Sequence, residues 1–146
     1  MEQFSSLPHA AAYITGGPEA PALLGTVTFN QKPEGVLVTA RISGLPRPSG
    51  FFALHIHEGP ACSGQAFPAT GGHYNPTQAP HPDHAGDLPP LLSCRGNAYL
   101  SVLSDRFNIR DILGRTVVIH SGPDDFRSQP AGNAGTKIAC GVISAP

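Results

Sequence analysis

The 146 residues suit one domain, read as spanning 1–146, because domains usually run to about 100–200 residues and no linker-like break in composition appears. With 17 Gly, 16 Pro and only 13% charged residues, the chain turns often and is rich in loops. A net charge of −1, no Lys/Arg run and no Trp leave no electrostatic footprint for nucleic acid or an anionic membrane, so neither is expected as a partner.

The opening stretch, MEQFSSLPHAAAYITGG, has no cationic start followed by a continuous apolar region, and no run of about 18 apolar residues occurs anywhere. The expectation is a soluble, untargeted chain: cytoplasmic as it stands, secreted or periplasmic if a leader has been removed. No role is assigned to His9 or to the first twenty residues.

Strand-like alternation begins with Leu23, Gly25, Val27 and Phe29 on one face and Leu24, Thr26, Thr28 and Asn30 on the other. A turn at Lys32 to Gly35 leads into Val36, Val38, Ala40 and Ile42 alternating with Leu37, Thr39, Arg41 and Ser43, which reads as a hairpin. Phe51 to Glu58 reads as one strand, with Phe52, Leu54 and Ile56 on one face and Phe51, Ala53, His55 and His57 on the other. The two imidazoles therefore project together.

From Gly59 to Pro90 the alternation gives way to a stretch dense in Gly, Pro and His, too long for a casual connection. Strand signals return at Asn97 to Ser104 and at Arg115 to His120, with a short helical turn expected over Phe107 to Leu113. A second irregular segment, Ser121 to Thr136, precedes a final strand at Lys137 to Ser144. Seven or eight short strands with little helix indicate an antiparallel sandwich or barrel carrying two long outer loops.

Five of the seven histidines fall within 30 consecutive residues: His55, His57, His73, His81 and His84. A His-x-His pair on a strand supplies two neutral nitrogens on one face, although such a pair alone is as often surface decoration. The segment GGHYNPTQAPHPDHAGD adds Asp87 to His73, His81 and His84 and has too few apolar residues to form its own core. Three imidazoles and a carboxylate suit zinc in a closed tetrahedral site. His120, ending RTVVIH, is a further plausible ligand. Cys62, Cys94 and Cys140 could be one bridge and a free thiol or three free thiols.

In order along the chain, HIHEGPAC, GGHYNP, HAGD, GRTVVIH and NAGTKIACGVI resemble the signature segments of the copper/zinc superoxide dismutase family, here in a bacterial-type form. The resemblance spans about Leu24 to Ile143. It implies an all-β, eight-stranded Greek-key antiparallel barrel or sandwich that converts superoxide anion to oxygen and hydrogen peroxide. By the same resemblance copper is held by His55, His57, His73 and His120, and zinc by His73, His81, His84 and Asp87. His73 would bridge the two ions and return a proton during the cycle, and zinc would hold the long loop and set the geometry of the bridge. Asp124 matches the carboxylate that links the two sites through His55 and His81, Asp125 being the weaker candidate. Cys62 and Cys140 match the family disulfide, leaving Cys94 as a small apolar filler.

The chain departs from the family pattern at Lys137, where an arginine usually receives the anion. Lysine keeps the charge but lacks the planar array of donors, so orientation should suffer more than attraction and activity should be reduced. The alternative has Lys137 facing solvent and Arg127 serving the anion. Little other cationic charge lies in Ser121 to Thr136, so long-range steering should be weak and only slightly salt-dependent. A non-catalytic copper- or zinc-binding module for storage or delivery, on the same fold, is the rival reading. The sequence leaves the oligomeric state open, a homodimer included.

Overall fold

Period-two patterning translates directly into paired strands in the computed structural model, which describes residues 7–146. Residues 1–6, with which the opening stretch begins, lie outside the described residues. Strand β1 (Ala10–Gly16) leads into β2 (Leu24–Lys32), which turns tightly into β3 (Gly35–Ser43) with Lys32 opposite Gly35. Val27, Phe29, Val36, Val38, Ala40 and Ile42 are buried, as the alternation requires.

The expected strand over Phe51 to Glu58 is divided into β4 (Phe51–Phe52) and β5 (Leu54–His57). The division at Ala53 is a change of partner: β4 pairs with β6 (Leu91–Leu92), whereas β5 pairs with β8 (Thr116–His120). Ala53 stays hydrogen-bonded across the change, donating to Gly122 O at 2.9 Å and accepting from His120 N at 2.9 Å. Strand β7 (Ala98–Ser104), helix α1 (Ile109–Ile112) and strand β9 (Lys137–Ser144) complete the order.

The main sheet runs β5-β8-β9-β1-β2-β3-β7, and every pairing in it is antiparallel. Its curl is closed by the β4–β6 ladder, because β4 continues the chain of β5 at one edge while β6 packs beside β7 at the other. With β4 and β5 taken as one bent strand, the described residues contribute eight strands to the barrel. Its interior is filled by side chains such as Ile14, Phe29, Phe52, Leu54, Ile56, Ile119 and Ile143, all at most 1% exposed. Phe107 meets Phe29 edge to face and seals the α1 end.

Strands β1 and β6 add to the strands that the alternation predicts. A disulfide joins Cys62 to Cys140 with Cα atoms 5.8 Å apart, tying the first long loop to β9. Cys94 is free, but it is exposed in the turn between β6 and β7 and fills no apolar gap, which corrects the expectation for it. No helix among the described residues is long and apolar enough to cross a membrane.

Candidate metal centre

Strand β5 lies at the edge of the main sheet, and the long loop Gly59–Pro90 folds back along it. Ile56 N donates to Gly86 O and Tyr74 N donates to Ile56 O, both at 2.8 Å, so the loop crosses β5 as a broken ladder. Isolated bridges set Asp87 opposite His55 and His73 opposite His57. Gly86 permits this approach, because a Cβ there would run into the Ile56 carbonyl. His120 arrives from the end of β8, where a register irregularity between Ile119 and His120 re-aims the chain.

Two four-donor groups result: His55, His57, His73 and His120, and His73, His81, His84 and Asp87. His73 belongs to both. In each group the donor atoms lie within 4.8 Å of one another, and every histidine is at least nine-tenths buried.

The spacing between donors is that of ligands around an ion. His57 Nδ1 donates to Gly71 O at 2.8 Å, which leaves a lone pair on Nε2, and that atom sits 3.2 Å from His120 Nε2. In the second group His73 Nδ1 lies 3.1 Å from His84 Nδ1 and 2.8 Å from Asp87 Oδ1, and His81 Nδ1 lies 3.1 Å from Asp87 Oδ2. Nitrogens bound to one tetrahedral ion at about 2.0–2.1 Å stand roughly 3.3 Å apart. His55 Nδ1, His73 Nε2 and His81 Nδ1 are buried with no hydrogen-bond partner, a costly arrangement that a bound cation would satisfy. His120 Nδ1 also lacks a well-formed hydrogen bond, although the Gly135 backbone is near enough to favour its protonated form.

Burial favours the neutral, ligating form of four of the imidazoles. It pushes His57 down to about 2 and His120 down to about 3, and lowers His55 and His84 as well. Burial pushes the Asp87 carboxyl up, but the hydrogen bond from His73 and the surrounding histidines outweigh it and hold the group below the usual carboxylate range.

Asp124 joins the two groups. Its Oδ2 accepts from His55 Nε2 at 2.8 Å and its Oδ1 from His81 Nε2 at 2.7 Å. Burial again pushes this carboxyl up, and the bonds from His55, His81 and the Phe126 N–H together overcome it and hold it low. Gly132, at φ +73°, closes over the carboxylate so tightly that a Cβ would fall on Asp124 and the His81 ring. Asp125 is exposed and bonds instead to Ser128 and to the Arg127 N–H.

A cavity of about 370 Å³ opens onto His57, His73, His84 and His120, with Lys137 on its wall. The Lys137 ammonium donates to Thr70 Oγ1 at 2.7 Å and to Gly71 O at 2.9 Å. Arg127 is exposed and does not line this cavity. Roomier hollows lie elsewhere, one of about 400 Å³ against Asp87 and Arg106 and one of about 600 Å³ beside His9, and neither receives converging imidazoles. The sequence does not single out Thr70, Arg106 or Gln129: Thr70 meets Lys137 through its hydroxyl, and the Arg106 and Gln129 side chains meet peptide groups of the His81–His84 segment, contacts that leave no motif.

The chain matches the sequence model of the family described as Copper/zinc superoxide dismutase (SODC) over residues 23–143. Among named relatives, the Cu-Zn superoxide dismutase 2 of Aquifex aeolicus is 38% identical over 136 residues, covering 83% of this chain and 79% of that protein. The Cu-Zn superoxide dismutase of Legionella pneumophila is 38% identical over 142 residues, covering 91% and 85% respectively. Among solved structures, the Cu/Zn superoxide dismutase from Brucella abortus superposes with a TM-score of 0.77 at 27% identity, over 91% of this chain and 98% of that one.

Proposed function

The chain belongs to the copper/zinc superoxide dismutase family, and from that premise we propose that it dismutates superoxide, with copper on His55, His57, His73 and His120 and zinc on His73, His81, His84 and Asp87. The observation that carries this reading is the pair of buried four-donor groups sharing His73. Two superoxide anions and two protons give one oxygen and one hydrogen peroxide, one anion losing the electron that the other gains. When bound, copper supplies the one-electron chemistry and zinc a redox-silent charge that organises its ligands.

The protein's own groups supply position and protons. Neutral imidazoles on β5 and β8 present lone pairs to a common point. His73 Nε2, buried and unpartnered, is the atom that would hold a proton and yield it to the departing peroxide. Asp124 orients His55 and His81 by accepting their outer N–H groups, which fixes tautomer and ring angle. Lys137 puts a positive charge on the cavity wall, where it attracts the anion as a point charge without the two-pronged grip of a guanidinium.

The test is superoxide consumption by protein carrying one copper and one zinc per chain, against the same protein carrying zinc alone. A fast, copper-dependent rate is expected. A rate no higher than spontaneous decay at full occupancy would support a metal-binding module instead.

A further inference from the structure

The assigned zinc donors His81 and His84 are held by their main chain as well as by their rings. The His81 N–H donates to Gln129 Oε1 at 2.9 Å and the His81 carbonyl accepts from Gln129 Nε2 at 2.8 Å, so one side-chain amide pairs with both backbone groups of that residue. The His84 N–H donates to Asp87 Oδ2 at 2.9 Å, and its carbonyl accepts from Arg106 Nη1 at 3.1 Å. The same Arg106 nitrogen donates to Pro82 O at 2.8 Å. Arg106 comes from the connection between β7 and α1, and Gln129 from the Ser121–Thr136 loop. Two loops far apart in sequence thus converge on one short ligand-bearing segment.

We propose that Arg106 and Gln129 are positioning residues for zinc: they hold the peptide groups of the His81–His84 segment in the shape that aims both rings at the ion, and so slow its release. The inference rests on the assignment of His81 and His84 as zinc donors.

A four-residue stretch left free to rotate pays backbone entropy each time it regains its ligating shape. Side chains that already hold its N–H and C=O groups reduce that cost in the metal-free protein. The contact between Arg106 and Asp83, at 3.6 Å with both side chains well exposed, adds little, because exposed pairs of this kind are weak. The grip therefore lies in the two carbonyls, both of which accept from one Arg106 nitrogen; a lysine ammonium could reach them too, but it is a mobile, strongly hydrated point charge without the fixed plane of the guanidinium.

The experiment measures zinc release from protein loaded with zinc alone, by its capture with a coloured chelator, for wild type, Arg106→Lys, Arg106→Gln, Gln129→Glu and Asp83→Asn. Arg106→Gln and Gln129→Glu should release zinc faster by about 10-fold, within the 10–100-fold range typical of groups that orient metal ligands. Arg106→Lys should fall between these and wild type, and Asp83→Asn should match wild type.

Thermal midpoints of the same proteins without zinc give the readout that a merely structural role would move. They are expected to stay close to wild type while the gain on adding zinc shrinks. Unchanged release rates, or a metal-free midpoint that falls as far as the loaded one, would overturn the proposal. Wild-type protein that retained no stoichiometric zinc would overturn the metal assignment instead.

Discussion

The carbonyl oxygen of Gly71 ties His57 to Lys137, accepting the imidazole Nδ1–H at 2.8 Å and the ammonium at 2.9 Å. The cation on the cavity wall is thereby connected to a proposed copper ligand through one peptide group. A change at Lys137 reaches both the approach of the anion and the hydrogen bond that orients the His57 ring.

Lys137→Arg should raise the rate of superoxide consumption several-fold, because a guanidinium adds directional donors to the same charge. Lys137→Met should lower the rate by about 10-fold by removing local attraction, and should weaken inhibition by small anions in parallel. Rates measured at two salt concentrations check both, and equal rates for Lys137 and its arginine variant would contradict the assigned role.

Legibility followed the kind of information each group carries. The seven donors stood out because imidazole and carboxylate announce their chemistry and because period-two alternation placed His55 with His57 and Val118 with His120. Gln129 and Arg106 act by holding peptide groups, which every residue has, so no spacing reveals which peptides they will meet. The division at Ala53 was invisible because apolar alternation runs straight through it, and the exchange of β6 for β8 as partner is decided by the closure of the sheet. Strand β1 is hard to read because two of its three inward residues, Ala10 and Ala12, are small and its outward Tyr13 is aromatic, which blurs the contrast between faces.

Asp124→Ala should weaken zinc binding by roughly 10–100-fold and copper binding in the same direction, since one carboxylate fixes a ring in each group. Gly132→Ala tests the same link without altering the carboxylate, because the added methyl displaces it from His81 and the residue would sit at φ +73°. Competition titrations with a chelator of known affinity measure both, and intact zinc affinity in the alanine variant at 124 would remove Asp124 from this role.

Acid should destabilise the metal-free protein well before it protonates ordinary carboxylates. His57 and His120 are held at about 2 and about 3, chiefly by burial, whereas in the unfolded chain each returns to about 6.5. Between those values the unfolded chain binds more protons, so their stabilising effect is complete above pH 6.5 and is lost as pH falls. The limiting slope is about 1.4 kcal/mol per pH unit for each histidine. Asp124, also held low, acts in the same direction below its ordinary range. Thermal midpoints of metal-free protein from pH 7 to pH 4 should fall steadily, and less steeply in His120→Asn; a flat profile would contradict the account.

Reduction of the Cys62–Cys140 bridge should lower stability by at most about 4–5 kcal/mol, given the 78-residue separation and a chain-entropy origin. It should also loosen the segment carrying Thr70 and Gly71, the acceptors of Lys137. Cys62→Ser is therefore expected to lower the unfolding midpoint and to weaken anion inhibition together. Loss of stability with unchanged anion inhibition would confine the bridge to the scaffold.

Strand β5 ends the main sheet, and one side of it is paired only with the loop that carries His73 and Asp87. An uncovered strand edge is a template on which another chain can build. The ions that hold this loop would then also guard solubility: with the loop released, the Ile56 backbone groups would be free to recruit a strand from a second molecule. Metal supply to this protein would thus govern its resistance to aggregation as well as its chemistry.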